Sequence, residues 1–162
     1  MATYHFLTMW LLEAPIETVW NALVDYQALP DWWKAVDQVN LIENGKPDGT
    51  GGVWNMTWKT PLGYSITFRS TTTRIEEPHL LELEAVGEVE GTGRWELKST
   101  NEGTLVHYYW DVKTTKAWMN ALAIFMRPLL EWNHNITMEQ GGDGLANYLG
   151  VKLLEQENKS LS

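Results

Sequence analysis

TKAWMNALAIFMRPLLEWNHNITMEQGGDGLANYLG, residues 115–150, carries apolar side chains at helical spacing along most of its length. Trp118, Leu122, Phe125 and Leu129 fall on one stripe. Met119, Met126, Leu130, Asn133 and Thr137 fall on the neighbouring stripe. Pro128 lacks the N–H that would bond back to the carbonyl of residue 124, which predicts a kink near that point. Asn133 and His134 stand between Trp132 and Ile136, a polar pair among bulky apolar residues. Either these groups serve a structural need or they face something that is not protein.

Upstream of this helix the period is two. In VWNMTW, Trp54, Met56 and Trp58 share a face, and in YSITFRSTTTRI so do Tyr64, Ile66 and Phe68. Leu81, Leu83 and Ala85 alternate with Glu82 and Glu84, and Trp95 and Leu97 with Arg94, Glu96 and Lys98. Val106, Tyr108, Trp110 and Val112 alternate with His107, Tyr109 and Asp111. Short turn-rich connections between such runs predict an antiparallel meander with one apolar and one polar face.

Residues 3–13 read as a first strand from their β-branched, aromatic and aliphatic content. In APIETVWNALVDY, Ile16, Val19, Trp20 and Leu23 recur at helical spacing behind Pro15, which predicts an amphipathic helix. ALPDWWKAVDQ predicts a second short helix, and VNLIEN another strand. The expected fold is therefore α+β: seven antiparallel strands in a curved sheet, two short helices after the first strand, and one long helix large enough to cover the apolar face. Residues 1–150 read as one ligand-binding domain, and 151–162 as a polar, frayed C-terminal tail.

Composition narrows the function classes. The chain of 162 residues has ten tryptophans, more than a core of this size ordinarily needs, and they would suit the walls of a cavity. The formal net charge of −9, without a Lys/Arg cluster, argues against nucleic acid and anionic membrane surfaces. No apolar run is long enough for stable membrane insertion, and MATYHFLTMW lacks the pattern of a secretion signal, so a cytoplasmic location is expected. Sequons at Asn55, Asn135 and Asn158 carry no weight without such a signal. Cysteine is absent, which excludes a disulfide framework and a thiol nucleophile.

The element order resembles the helix-grip fold of the START-like (SRPBCC) superfamily, which includes bacterial polyketide cyclase/dehydrase and lipid-transport proteins. The matching pieces are APIETVWNALVDYQALPDWW, AVGEVEGTGRW, GTLVHYYWDV and RPLLEWNHNITMEQGGDGL, which together span roughly residues 3–149. This resemblance implies a hydrophobic cavity between sheet and helix. It does not imply one substrate, because a fold hosts many functions.

Some members of that superfamily bind mononuclear iron through two histidines and a carboxylate. Here the four histidines, at 5, 79, 107 and 134, show no metal-like spacing, and no metal or other cofactor is expected. GEVEGTGRW leads into a strand rather than a helix, so its glycines read as a bend or bulge and not as a dinucleotide fingerprint. What remains is an apolar chamber with a few polar groups, the profile of a small-molecule pocket. Strand parity and helix phase nominate Trp54, Met56, Trp58, Tyr64, Phe68, Trp95, Tyr108, Trp110, Met126, Leu130, Asn133 and His134 as its ligand-binding lining. Asn133 needs a hydrogen-bond partner in protein, water or ligand, because leaving its amide unpaired costs about 1–3 kcal/mol. His134 reads either as a structural histidine or as an acid–base group facing the chamber.

The leading expectation is a carrier or binding protein for a hydrophobic, ring-containing small molecule. The alternative is an enzyme of the polyketide cyclase/dehydratase type that uses Tyr, His or Asn groups in the same cavity, with no catalytic residue assigned. A protein-interaction module would need an exposed apolar patch, and the strand alternation gives little sign of one.

Overall fold

The structure, a computed structural model, describes residues 3–161. Strand β1 (Thr3–Leu12) leads into helix α1 (Ile16–Val24), a 3₁₀ turn (Tyr26–Ala28) and helix α2 (Leu29–Trp32). Six strands follow: β2 (Val36–Glu43), β3 (Val53–Lys59), β4 (Ser65–Glu76), β5 (Leu80–Gly87), β6 (Val89–Thr100) and β7 (Gly103–Thr114). Helices α3 (Ala117–Ala121) and α4 (Ala123–Leu149) come next, and strand β8 (Leu153–Ser160) closes the chain. One antiparallel sheet holds all eight strands in the order β2-β3-β4-β5-β6-β7-β1-β8. The helix-grip arrangement expected from the sequence is present.

Three expectations need correction. The sheet has eight strands rather than seven, because the segment read as a frayed tail pairs with β1, from Phe6↔Ser160 to Leu12↔Leu153. The pairing lets a mostly exposed, polar strand bond its backbone to an edge that would otherwise be open. The long helical segment is interrupted at Leu122, between α3 and α4, and α4 runs on through Pro128. Because Pro128 is the sixth residue of α4, its ring meets the first helical turn, where few backbone bonds depend on it. Third, an exposed apolar patch, of which the strand alternation gives little sign, is present on the helices, where Trp118, Leu122, Phe125 and Leu129 are exposed.

The β-strand alternation follows the expected faces. Leu81, Leu83 and Ala85 on β5, Trp95 and Leu97 on β6, and Val106 and Val112 on β7 are buried. Met56 pairs with Phe68 across β3 and β4, and Trp95 with Tyr108 across β6 and β7. Gly91 pairs with Val112 between β6 and β7, and at its φ of 154° a Cβ would overlap the Asp111 carbonyl, which leaves no room for a side chain.

The C-terminal half of α4 is seated on tryptophans. Trp33 is 1% exposed and lies 4.8 Å from Trp58, 5.3 Å from Trp32 and 5.6 Å from Trp10, ring centre to ring centre. Its Nε1–H donates to the Thr137 carbonyl at 2.9 Å, which fixes α4 against α2. Glycines in α4 permit this approach. A Cβ on Gly141 would come within 2.5 Å of Trp33 Cε2, and one on Gly144 would overlap the Trp32 carbonyl. Alanine favours a helix interior over glycine by about 1 kcal/mol. Even so, Gly144→Ala is expected to destabilise the protein by roughly 1–3 kcal/mol, because the clash is with backbone. A lowered urea midpoint with unchanged slope would be the sign of it.

Candidate functional site

The tryptophans fill the interior under α2 and the end of α4 but leave a space nearer α3. That space is a cavity of about 130 Å³. On the sheet side it is walled by Tyr4 and Phe6 of β1, Trp58 of β3, Ile66 and Phe68 of β4, Val89 of β6, and Tyr108, Trp110 and Val112 of β7. On the helix side it is walled by Met119 of α3 and by Leu130, Asn133, His134, Thr137 and Met138 of α4. Lys59 at the end of β3 and Thr60 and Tyr64 of the β3–β4 turn border it. A much smaller space of about 30 Å³ lies beyond Tyr108 and Trp58, against Leu23, Tyr26 and Trp33.

Eight of the twelve nominated residues line the larger cavity: Trp58, Tyr64, Phe68, Tyr108, Trp110, Leu130, Asn133 and His134. Met56 and Trp95 border the smaller space instead. Trp54 and Met126 border neither. Trp54 packs edge-on against Tyr26 at 5.5 Å, so it has the right face of β3 but the wrong end. Met126 packs partly buried against the core one turn before Leu130. Parity selects a face of the sheet, whereas the cavity occupies only one end of it. Tyr4 and Phe6 were missed for another reason. They reach the site because β1 pairs with β7, a contact between the two ends of the chain that no local pattern announces.

The helical roof is tied down at several points. Arg127 donates to the Thr3 carbonyl at 2.9 Å and its guanidinium lies 4.6 Å from the Tyr4 ring centre. It also pairs with Glu131, one turn on along α4, at 3.9 Å. Lys116 pairs with Glu88 at 3.1 Å, and Trp118 meets Tyr64 edge-on at 5.8 Å.

The polar groups of the cavity are few and poorly paired. Asn133 Nδ2 donates to the Tyr64 hydroxyl at 3.3 Å, while Asn133 Oδ1 is buried without a partner. The Tyr4 hydroxyl, Trp58 Nε1 and both ring nitrogens of His134 are likewise buried and unpaired. The His134 ring stacks on Phe6 with centres 4.1 Å apart and planes inclined by 16°. Burial pushes the imidazole down to about 3, and the adjacent Asn135 side chain opposes but does not cancel the shift. Burial also raises Tyr64, against the bond from Asn133, and raises Tyr108 well above the usual phenol range. Near neutral pH these three side chains are therefore uncharged hydrogen-bonding groups. Among the described residues, no group of three or more His, Asp or Glu side chains is placed to hold a metal ion. No helix among them is long and apolar enough to cross a membrane.

Residues 11–150 match the family model described as polyketide cyclase / dehydrase and lipid transport. The chain belongs to that family. No curated protein sequence matches this polyketide cyclase/dehydrase and lipid-transport family member. Among solved structures it is similar to the ZhuI aromatase/cyclase of Streptomyces sp. R1128, with a TM-score of 0.76, 17% identity, and coverage of 92% of this chain and 94% of that one. A START superfamily protein from Mycobacterium smegmatis gives a TM-score of 0.72 at 15% identity, covering 90% of this chain and 97% of that one. The di-domain aromatase/cyclase StfQ of the steffimycin biosynthetic pathway gives 0.66 at 16% identity, covering 92% of this chain and 52% of that one. At such identities the likeness is one of fold.

Proposed function

We propose that this protein binds a hydrophobic, ring-containing, uncharged small molecule in the cavity beneath α3 and α4, as a carrier or ligand-binding protein. The observation that carries this reading is the combination of apolar walls with buried, unpaired polar atoms on Tyr4, Trp58, Asn133 and His134. Each such atom costs about 1–3 kcal/mol while it lacks a partner, and a ligand with matching groups recovers part of that. Trp58 can only donate and Asn133 Oδ1 can only accept, so the best-matched ligand carries both an acceptor and a donor. A formally charged ligand would be desolvated against buried groups that are neutral near pH 7, since Lys59 at the border is mostly exposed and paired with Asp37 at 3.2 Å. The space of about 130 Å³ is close to that of an engineered apolar cavity of ~150 Å³ that takes up benzene, and small beside the ~300–1,000 Å³ of drug-sized pockets. One ring therefore fits this conformation, and a larger ligand needs the roof to move.

The family description also accommodates a second reading, an enzyme of the cyclase/dehydratase type. In that case the Tyr64–Asn133 pair would position and polarise a carbonyl. His134 is a poor proton acceptor near pH 7 with its proton affinity so reduced, which favours binding over acid–base turnover.

Denaturing extraction of the purified protein followed by mass spectrometry tests the reading first, with an unrelated protein from the same host as control. Calorimetric titration with phenol and naphthol supplies the affinities. Ile66→Trp, which fills the cavity from β4, is expected to abolish uptake. Asn133→Ala is expected to weaken uptake of hydroxylated rings about tenfold while sparing unsubstituted ones. Uptake unaffected by both changes would place the ligand elsewhere. Turnover of polyketide-like substrates, with no stoichiometric ligand retained, would favour the enzyme.

A further inference from the structure

The outer face of α3 and α4 gathers half of the large apolar side chains exposed among the described residues. Trp118, Leu122, Ile124, Phe125, Leu129 and Trp132 are between 38% and 87% exposed, and Ile124 and Phe125 are the most exposed of all. At about 200 Å² per large side chain they present on the order of 700 Å². A monomer rarely leaves more than a few hundred Å² of contiguous apolar surface to water. A standard protein interface buries about 800 Å² per partner.

Two features of the stripe specify what covers it. Residues 122, 125, 129 and 132 are spaced 3-4-3 from the N-cap of α4 onward, the spacing of a seam that packs against another helix, and Trp118 on α3 extends the same exposed face. The stripe also reads Trp, Leu, Phe, Leu, Trp from either end. An antiparallel copy turned about Phe125 places Trp118 against Trp132, Leu122 within one residue of Leu129, and Phe125 against itself. A two-fold interface needs such a self-complementary patch, whereas an unrelated partner does not. A bilayer would demand no helical register at all, and a molecule of net charge −9 is repelled by an anionic membrane.

We propose that the protein forms a two-fold dimer through the α3–α4 face, with the Trp118–Trp132 stripes packed antiparallel. The helices at this interface are those whose inner faces, through Met119, Leu130, Asn133 and His134, roof the cavity. Dimerisation thus holds the roof from outside and restricts its opening, whatever the cavity contains.

Sedimentation equilibrium of the full chain over a wide concentration range reads the association directly. The expected mass rises from 18.6 kDa toward twice that value. Phe125→Lys, at a side chain 81% exposed in the single chain, is expected to weaken association roughly 30-fold or more. Its melting temperature in dilute solution should match that of the parent. The cysteine-free sequence permits a second test. Phe125→Cys should cross-link rapidly to a covalent dimer under mild oxidation, while Glu102→Cys in the exposed β6–β7 turn should not. A chain that stays monomeric at every concentration, or a dimer indifferent to Phe125→Lys, would overturn the proposal. So would equal cross-linking at the two cysteine positions. Sedimentation of a monomeric chain with phosphatidylcholine vesicles, lost in Phe125→Lys, would instead assign the face to a lipid surface and overturn it too.

Discussion

Trp33→Ala is expected to lower the free energy of unfolding by about 3–5 kcal/mol, the largest effect of any single truncation considered. Trp33 is 1% exposed and touches Trp10, Trp32, Trp58 and Trp95. Its loss opens a cavity at the point where β1, β3, β6, α2 and α4 meet. It also leaves the Thr137 carbonyl without the indole N–H that it accepts. On the α4 side the residue facing the indole is Gly141, which has no side chain to fill the gap. Urea denaturation checks the value. Trp132→Ala is the control, because that indole is 48% exposed and its removal in dilute solution should change stability by no more than about 0.5 kcal/mol. Similar losses for the two variants would show that the tryptophan cluster does not anchor the helix.

The second large effect is acid destabilisation through His134. In the folded protein the imidazole takes up its proton only near 3, against an ordinary value of 6.5. Between those values the unfolded chain holds the extra proton more readily than the folded one. Stability contributed by the neutral imidazole is therefore fully present above 6.5 and is lost as pH falls toward 3. The expected slope from this group is about 1.4 kcal/mol per pH unit well inside that window. Carboxylates titrate in the same range, so the informative quantity is the difference between the parent and His134→Gln. That difference should shift steadily against the parent as the solution is acidified. A difference independent of pH would mean that the ring nitrogens are accessible to water or paired.

The cavity behaves differently from the core in sequence terms. Trp58, Phe68, Tyr108 and Trp110 were identifiable because each sits on the apolar parity of a regular strand, and strand parity is a local property. Leu130 and Asn133 were identifiable from helix phase for the same reason. Trp54 and Trp95 obey the same parity yet miss the larger cavity, because which end of a curved sheet is filled depends on how α2 and the end of α4 seat against it. Tyr4 and Phe6 became site residues through the pairing of β1 with β7, whose partners lie about a hundred residues apart in the chain. The exposed α3–α4 stripe was visible as a stripe. Its direction was not, since two adjacent apolar stripes on one helix compete for the same sheet.

By itself the sequence determined the antiparallel meander, the amphipathic helix after β1, the helical character of residues 117–149 and the apolar parity of the strands. These follow from short-range periodicity, turn residues and composition, which the chain carries residue by residue. The tertiary structure alone decided that residues 153–160 pair with β1, that the helix breaks at Leu122 and not at Pro128, and that tryptophans fill one end of the interior while the other stays open. It also decided that the Trp118–Trp132 stripe faces outward. Each of these is a choice between locally equivalent arrangements, settled by which contacts between distant segments bury the most surface with the fewest unpaired polar groups.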